Sequence, residues 1–368
     1  MIETLVNIDS SPEDHDGLER VIEIMEASWL DLGFEVSTLR TRDGLPIVDA
    51  RRAAQSADPN VLVLAHLDTV FPRGTANERP FRLTADGKAT GPGVADAKGA
   101  AVTAWLGISA AIAATEGQLE ANLRVLANTD EEAGSVQSRP LIEQAARGAD
   151  LALVFEPGRP DGSIVTRRRG ARRYRVEVEG RAAHTGVAPW AGANAIEELA
   201  YKIPVLQALN DRERSISVTV ALIRGGMRIN TVPAHAEIDV DVRIPDASAG
   251  EEIHAAIEAA VVNNHVDGCS ARWILLNERP PMVPQSPDVD SVVAQLQEAA
   301  RQLGYHLEAT ATGGGSDGAF TSALGVPTLD ALGAVGGGYH TSEEFVTQSS
   351  LVERAAAFGA FLAGLGQS

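Results

Sequence analysis

Cysteine is almost absent from this chain, which has a single thiol, Cys269, in 368 residues. One thiol cannot form an internal disulfide or a thiolate cage, so any bound metal must be held by His, Asp and Glu. Long apolar runs are also missing, because none reaches the roughly 18 residues of a membrane span. The first residues lack the basic and apolar regions of a signal peptide, and we expect a cytoplasmic protein without membrane contacts.

Positive charge is scarce as well, because 31 Lys and Arg stand against 50 Asp and Glu, a formal net charge of −19. A strongly acidic surface repels nucleic acids and anionic membranes, so neither is expected as a partner. One basic run, residues 167–173, could suggest nucleic-acid binding. We do not favour that interpretation, because the run begins a predicted strand in an acidic protein.

The length of the chain predicts two domains, because a single core rarely organises so many residues. In the first half, short apolar strands alternate with helices. The predicted strands are 61–65, 123–127 and 151–155, and the predicted helices are 17–32, 98–115 and 139–147. Buried strands that alternate with helices indicate an α/β domain with a mixed, largely parallel sheet flanked by helices. Helix 289–303, strand 327–332 and helix 349–365 continue this pattern near the C-terminus.

The pattern changes to half-exposed strands between residues 169 and 281. Apolar and polar residues alternate at 174–179 and 237–244, with the period of two that is typical of strands. Two further strands and two helices give the order βαββαβ, which predicts a ferredoxin-like α+β unit. These four elements are helices 193–209 and 250–263 and strands 216–223 and 272–276. We therefore expect one domain of residues 1–168 and 282–368, interrupted by an inserted domain of residues 169–281.

Polar residues gather where the predicted strands end, at the edge where open α/β sheets build their sites. The first strand leads into His66 and Asp68, and a metal-bound imidazole usually donates its other N–H to a carboxylate. By itself, a lone histidine at a strand end is more often a satisfied structural residue. Asp96 follows a glycine-rich turn before a predicted helix, where it is either an N-cap or a carboxylate that bridges two cations.

Three consecutive carboxylates at 130–132 follow the second predicted strand. They are either a solvated acidic turn or a group held together by a cation, because like charges repel. Glu156 ends the third strand, and His340 follows a glycine-rich loop. Imidazole with carboxylate suits zinc, and two cations would explain the crowding of negative charge.

Five ordered segments resemble the successive motifs of one zinc exopeptidase family. That family contains glutamate carboxypeptidase, acetylornithine deacetylase, succinyl-diaminopimelate desuccinylase and aminoacylase. The segments are HLD at 66–68, GVADAKG at 93–99, DEE at 130–132, FEP at 155–157 and YH at 339–340. The resemblance runs nearly end to end and is closest to the bacterial glutamate carboxypeptidase branch.

The resemblance implies a set of metal ligands. His66 and Glu156 would hold one zinc ion, Glu132 and His340 would hold the other, and Asp96 would bridge both. Co²⁺ or Mn²⁺ could replace Zn²⁺ at such ligands, because all three accept imidazole and carboxylate.

The resemblance also implies catalytic and substrate-binding residues. Glu131 would be the general base, and Asp68 would orient a metal-binding histidine. The segment GRAAHTG at 180–186 carries His184, which in this family reaches the active site of a partner subunit. The inserted domain would then be a lid through which a homodimer forms. Residues expected to bind substrate are Asn230, Arg243, Arg279, Gly314 and Gly315.

The expected function is hydrolysis of an amide or peptide bond next to a free carboxylate in a small-molecule substrate. A carboxypeptidase or an N-acyl-amino-acid hydrolase would do this. An acetylornithine-type deacetylase of a biosynthetic intermediate is an alternative on the same scaffold. A non-catalytic binding protein is another, and it predicts lost ligands or a lost base, whereas all these residues are present.

Overall fold

The structure is a computed structural model and describes residues 1–54, 59–284 and 287–365. The chain divides into two compact units. The larger unit consists of Met1–Arg167, Met282–Thr312 and Ser316–Ser368, and the smaller unit consists of Arg168–Pro281 and Gly313–Gly315.

Several helices begin at side chains that accept a backbone N–H, as helix N-caps do. Asp14 accepts the N–H of Gly17, and Asn194 and Asp246 do the same for two later helices. The helices are α1 (Ile2–Val6), α2 (His15–Asp31), α3 (Thr75–Glu78), α4 (Lys98–Ala114), α5 (Arg139–Ala146), α6 (Ala195–Gln207), α7 (Ala247–Val262), α8 (Asp288–Gln302), α9 (Gly318–Ala323) and α10 (Gln348–Gly364).

Most long strands are rich in β-branched and other apolar residues, which fit a pleated and partly buried surface. The strands are β1 (Glu35–Arg40), β2 (Pro46–Arg52), β3 (Asn60–His66), β4 (Arg82–Leu83), β5 (Lys88–Thr90), β6 (Asn122–Asn128), β7 (Leu151–Val154), β8 (Ile164–Arg168), β9 (Gly170–Glu179), β10 (Ser217–Gly225), β11 (His235–Ile244), β12 (Ser270–Arg279), β13 (Ala309–Thr312), β14 (Thr328–Leu329), β15 (Gly336–Gly337) and β16 (Phe345–Thr347).

The central sheet of the larger unit has the strand order β1-β2-β6-β3-β7-β14. Strand β3 pairs in parallel with both β6 and β7, and β14 pairs in parallel with β7. The hairpin β1–β2 is antiparallel and joins the sheet antiparallel to β6. This arrangement confirms the expected mixed, largely parallel sheet with flanking helices.

The middle strands β3, β6 and β7 are buried, and helices cover their faces. Helices α4 and α10 lie close together in this layer. A Cβ at Gly107 would lie 2.6 Å from Phe358 Cδ1 and 2.9 Å from the Ala355 carbonyl oxygen. Glycine at this position is therefore required by the close approach of the two helices.

Some elements differ from those predicted from the sequence. The predicted strand 327–332 is observed only as Thr328–Leu329, because the chain turns at Ala331, where φ is +57°. The hairpin β1–β2 was not predicted. Nor was the small sheet β15-β16-β5-β4, whose strands of two or three residues are too short to show an alternating pattern.

The smaller unit contains an antiparallel sheet of order β10-β11-β9-β12, and its elements follow the order β-α-β-β-α-β along the chain. Its core lies between the sheet and helices α6 and α7, around Tyr174, Leu199 and Ile257. None of the described helices in either unit is long and apolar enough to cross a membrane.

Candidate metal centre

Neighbouring parallel strands of the central sheet end at the polar residues of the site. Strand β3 ends at His66, which pairs in register with Asn128 at the end of β6. Strand β7 ends at Val154, and Glu156 follows two residues later. Because these strands run in the same direction, their carboxyl ends bring side chains from distant parts of the sequence to one edge.

A first cluster consists of His66, Glu131 and Glu156. One ligand atom from each of these residues lies within 4.8 Å of the other two. His66 Nε2 is 3.8 Å from Glu156 Oε2, and the His66 side chain is only 2% exposed. If this cluster holds a metal ion, Glu131 is close enough to serve either as a third ligand or as a base beside it.

A second cluster consists of Asp96, Glu132 and His340, whose ligand atoms also lie within 4.8 Å of one another. His340 Nε2 is 3.2 Å from Glu132 Oε1 and 3.3 Å from Asp96 Oδ2. This cluster is more open than the first, because the His340 side chain is 51% exposed.

Asp96 connects the two clusters. Its Oδ1 lies 3.2 Å from His66 Nε2, while its Oδ2 lies 3.3 Å from His340 Nε2. Asp96 lies just before α4, whose N-cap is Ala97. The sequence-based alternative of an N-cap aspartate is therefore wrong, and the carboxylate is directed between the two histidines.

Asp68 contacts residues of both clusters. Its side chain is completely buried, and its Oδ1 lies 3.3 Å from His66 Nδ1. The same carboxylate accepts the backbone N–H groups of Glu131 at 3.2 Å and Glu132 at 2.9 Å. One side chain thus fixes the orientation of an imidazole and the position of the acidic turn.

The two histidines carry raised pKa values. Burial opposes a charge on His66, but Glu156, Asp68 and Asp96 raise the pKa of His66 well above its ordinary value. Hydrogen bonds to Asp96 and Glu132 raise the pKa of His340 to about 10. The surrounding carboxylates therefore favour positive charge at both imidazoles.

The pKa values of the carboxylates depend on burial and on the nearby histidines. Burial raises the pKa of Glu156 to about 8 and also raises the pKa of Glu132. Burial acts in the same direction on Asp96, yet hydrogen bonds from His340 and His66 hold the pKa of Asp96 below its ordinary value.

This donor set fits metal binding. Two imidazoles and four carboxylates converge, which are the ligands that Zn²⁺ accepts when no cysteine is present. The crowded negative charge is costly without a compensating cation. The described residues thus provide two adjoining groups that could each hold a metal ion, with Asp96 facing both histidines.

Two residues that fix the site were not recognised in the sequence. Glu344 is 1% exposed and accepts the backbone N–H groups of Gly93, Ala95 and Asp96. Asp317 accepts the Asn128 side-chain amide at 2.7 Å and anchors the start of the acidic turn. Both are acidic residues in polar segments, and no local sequence signal distinguishes them from solvated surface residues.

The smaller unit contains the predicted residues His184, Asn230 and Arg243. The N–H of Gly186 donates to His184 Nδ1 at 3.1 Å, and the N–H of Thr185 donates to the Asn230 carbonyl oxygen at 3.1 Å. Arg243 donates from Nε to Asp241 Oδ1 at 2.8 Å. Arg243 therefore forms an ion pair with a neighbour on the same strand.

The remaining predicted substrate residues lie together within the smaller unit. Arg279 ends β12 and is 9% exposed. A Cβ at Gly315 would lie 2.9 Å from Arg279 Cδ, so the loop and the arginine are in close contact. The carbonyl oxygens of Gly314 and Gly315 accept hydrogen bonds from Arg168 Nη1 at 3.3 and 3.2 Å.

A mixed α/β fold with linked imidazole and carboxylate clusters beside the ends of parallel strands defines a candidate metal-binding protein. The family model described as Peptidase family M20/M25/M40 matches residues 62–364. The chain belongs to this family of metallopeptidases and related amidohydrolases, and the family predicted from the sequence motifs is confirmed.

Individual proteins show the same relationship. The chain is 30% identical over 367 residues to carboxypeptidase G2 of Pseudomonas sp. (strain RS-16), covering 96% of this chain and 85% of that protein. It is 27% identical over 365 residues to a succinyl-diaminopimelate desuccinylase of Dechloromonas aromatica (strain RCB), covering 95% and 93%. The crystal structure of a tripeptidase from Staphylococcus aureus shares the fold, with a TM-score of 0.80 and 21% identity, covering 100% of this chain and 97% of that one.

Proposed function

We propose that this protein is a two-metal hydrolase that cleaves an amide or peptide bond next to a free carboxylate. The observation that carries the proposal is the position of Asp96, whose two oxygens lie 3.2 and 3.3 Å from the Nε2 atoms of His66 and His340. The similarity to a carboxypeptidase and to a desuccinylase supports this substrate class, because both names describe hydrolysis of such bonds.

The proposed cofactor is a pair of Zn²⁺ ions, with Co²⁺ or Mn²⁺ as possible substitutes. His66 and Glu156 would hold one ion, and Glu132 and His340 would hold the other. Asp96 would bridge the pair. Ions bound at these ligands would polarise the substrate carbonyl and lower the pKa of a bound water.

Glu131 is the proposed general base. Its backbone is fixed by the Asp68 carboxylate, and its own carboxylate is in reach of His66 and Glu156. In the proposed reaction, Glu131 accepts a proton from the attacking water and later donates it to the leaving amine. Asp68 is a positioning residue, because it orients His66 and holds the turn that carries Glu131.

Substrate recognition is assigned to Asn230, Arg243, Arg279, Gly314 and Gly315. An arginine fork can bind a carboxylate with two hydrogen bonds, which suits a substrate with a free carboxylate. Arg243 is the first candidate for this role, and it also pairs with Asp241. Arg279 is nearly buried beside the glycine loop.

Residues 169–281 are proposed to form a ferredoxin-like lid, inserted into a catalytic domain of residues 1–168 and 282–368. The βαββαβ order and the antiparallel sheet support the ferredoxin-like assignment. We further propose that this lid forms a homodimer and that His184 stabilises the oxyanion in the partner subunit. Exposed apolar side chains in the same unit, such as Trp190, Met227 and Ile229, are consistent with an interface.

Mixed dimers test the shared site. A His184→Ala chain and a Glu131→Gln chain would each be inactive alone, but together they would restore one complete site per dimer. Recovery of activity on mixing denatured and refolded chains would support the proposal. Absence of recovery, with heterodimers present by native mass spectrometry, would contradict it.

A deacylase of a biosynthetic intermediate, such as an acetylornithine-type deacetylase, is the second candidate and is favoured by the desuccinylase similarity. The cytoplasmic location stays a prediction.

The deciding experiment is a screen of the purified protein with added zinc against N-acyl amino acids and dipeptides with C-terminal Glu, Asp or apolar residues, together with metal analysis. Two bound ions and hydrolysis of at least one substrate class are expected. A protein that binds no metal and hydrolyses none would be a binding protein on this scaffold.

A further inference from the structure

The loop that precedes α4 carries Asp96 and is held by one side chain from a distant part of the chain. The N–H of Gly93 donates to Glu344 Oε2 at 2.9 Å. The N–H groups of Ala95 and Asp96 both donate to Glu344 Oε1, also at 2.9 Å. The Glu344 side chain is buried, with 1% exposure, and it lies four residues after His340 in the sequence.

These three hydrogen bonds satisfy buried backbone N–H groups of the loop. Residues between Gly91 and Ala97 form neither a helix nor a strand, so their buried N–H groups need other partners. The Val94 N–H donates to the Gly91 carbonyl oxygen within the loop, whereas those of Gly93, Ala95 and Asp96 donate to Glu344. Successive N–H groups that point inward form a concave site for an anion. A carboxyl group offers several acceptor positions on its two oxygens, so one side chain can accept all three N–H groups.

The shape of the loop depends on glycine as well as on Glu344. Gly93 has φ of +72°, and a Cβ there would lie 2.5 Å from Thr69 Cγ2. The loop is thus pressed against the segment that follows His66, and its backbone has little room to move. A small displacement of the N–H groups would carry the Asp96 side chain with it, because the Asp96 amide is itself one of the three donors.

We propose that Glu344 is a positioning residue for the metal pair, which holds Asp96 so that its two oxygens face both histidines. This inference rests on the proposed two-metal function and adds to it. Glu344 is not itself in either candidate metal group among the described residues, since its oxygens are directed to the three backbone donors. Glu344 acts through Asp96, so changing Glu344 is expected to lower the affinity of the site for zinc.

The test is Glu344→Gln, measured by zinc competition with a chelator on metal-free protein. Glutamine replaces one acceptor oxygen by an NH₂ donor that faces a backbone N–H, so at least one of the three bonds is lost. We expect zinc affinity to fall about 10–100-fold, as for other residues that support metal ligands. Turnover should recover when the zinc concentration is raised, and the Co²⁺ absorption spectrum should change. A general loss of stability would instead lower the melting temperature of the metal-free protein and leave the Co²⁺ spectrum of the folded protein unchanged, because added metal stabilises any folded variant that binds it.

Glu198→Gln is the matched control. Glu198 in the smaller unit is also buried and accepts two backbone N–H groups, from His265 at 2.8 Å and Val266 at 2.7 Å. It also pairs with Lys202 at 2.8 Å. This variant should lower the melting temperature but leave zinc affinity and the Co²⁺ spectrum as in the wild type. If Glu344→Gln fails to fold, Glu344→Asp keeps the charge with a shorter side chain and should weaken zinc binding to a smaller extent.

The outcomes separate the two claims. If wild type binds two ions and the Glu344 variants, when folded, bind zinc as tightly as wild type, the inference is overturned while the proposed function stands. If wild type binds no pair of ions, the proposed function fails and the inference fails with it. A selective loss of zinc affinity in the Glu344 variants, absent in Glu198→Gln, supports both.

Discussion

The two halves of the candidate metal centre are built in different ways. His66 ends a buried strand of the central sheet and is 2% exposed, while His340 lies in a loop, has φ of +62° and is 51% exposed. The imidazole of the first half is fixed by sheet packing and by Asp68, whereas His340 of the second half lies in a loop. Asp96 faces both imidazoles and connects the two halves.

The largest effect is expected where the two halves meet. Asp96→Ala removes the carboxylate that faces both histidines, so the protein should no longer retain two zinc ions after dialysis. Loss of the ion pair removes several kcal/mol of transition-state stabilisation, or about 10³-fold in turnover. Metal content by mass spectrometry and kcat measured at saturating zinc are the tests. Near-normal kcat with two bound ions would show that Asp96 is not shared.

The next effect separates catalysis from metal binding within the buried half. Glu131→Gln should lower kcat by about 10²-fold or more, the scale of general acid–base catalysis, while both ions stay bound. Metal analysis of the same sample is the control, because Glu131 also lies within reach of His66 and Glu156. Loss of an ion in this variant would make Glu131 a ligand, and unchanged kcat would remove it from the reaction.

A pair of variants tests the comparison directly. His66→Ala leaves the buried Asp68 carboxylate without its imidazole partner, so the free energy of unfolding of metal-free protein should fall by about 1–3 kcal/mol. His340→Ala removes a half-exposed partner of Asp96 and Glu132, whose carboxylates water can partly hydrate, so the free energy of unfolding should fall less than in His66→Ala. Urea unfolding in chelator measures both. Equal destabilisation would indicate that the two halves are equally ordered by the fold.

The last prediction concerns the pH dependence of zinc binding. A ligating imidazole must lose its proton, and the pKa of His340 is raised to about 10 by Asp96 and Glu132. Below that pH, metal binding releases the His340 proton, so zinc affinity should rise with pH by about tenfold per unit for each proton released. Chelator competition at about pH 6.5 and about pH 8.5 measures the slope. His340→Ala should reduce it by one proton, and a flat profile in the wild type would contradict the assignment.

The sequence predicts the sheet-based half of this site more completely than the loop-based half. Apolar strands followed at once by His66 and Glu156 give a clear pattern, because parallel strands end at a common edge. The support from Glu344 and Asp317 could not be predicted, since both act over long sequence separations through backbone or side-chain amides.

The same contrast holds for the fold. Strands β3, β6 and β7 and the long helices around them are predicted within a few residues, because their apolar patterns are clear, whereas the hairpin β1–β2 of the same sheet was not predicted. The short strands β4, β5, β15 and β16 are defined by pairing partners and not by local pattern, and they were missed. The glycine-rich segment before His340 belongs to one of them.

Zinc-edge anomalous diffraction from crystals of the zinc-loaded protein tests most directly whether two ions share the Asp96 carboxylate. Two anomalous peaks are predicted, both in contact with Asp96, one beside His66 and Glu156 and the other beside Glu132 and His340. A single peak, or two peaks of which only one contacts Asp96, would contradict the account.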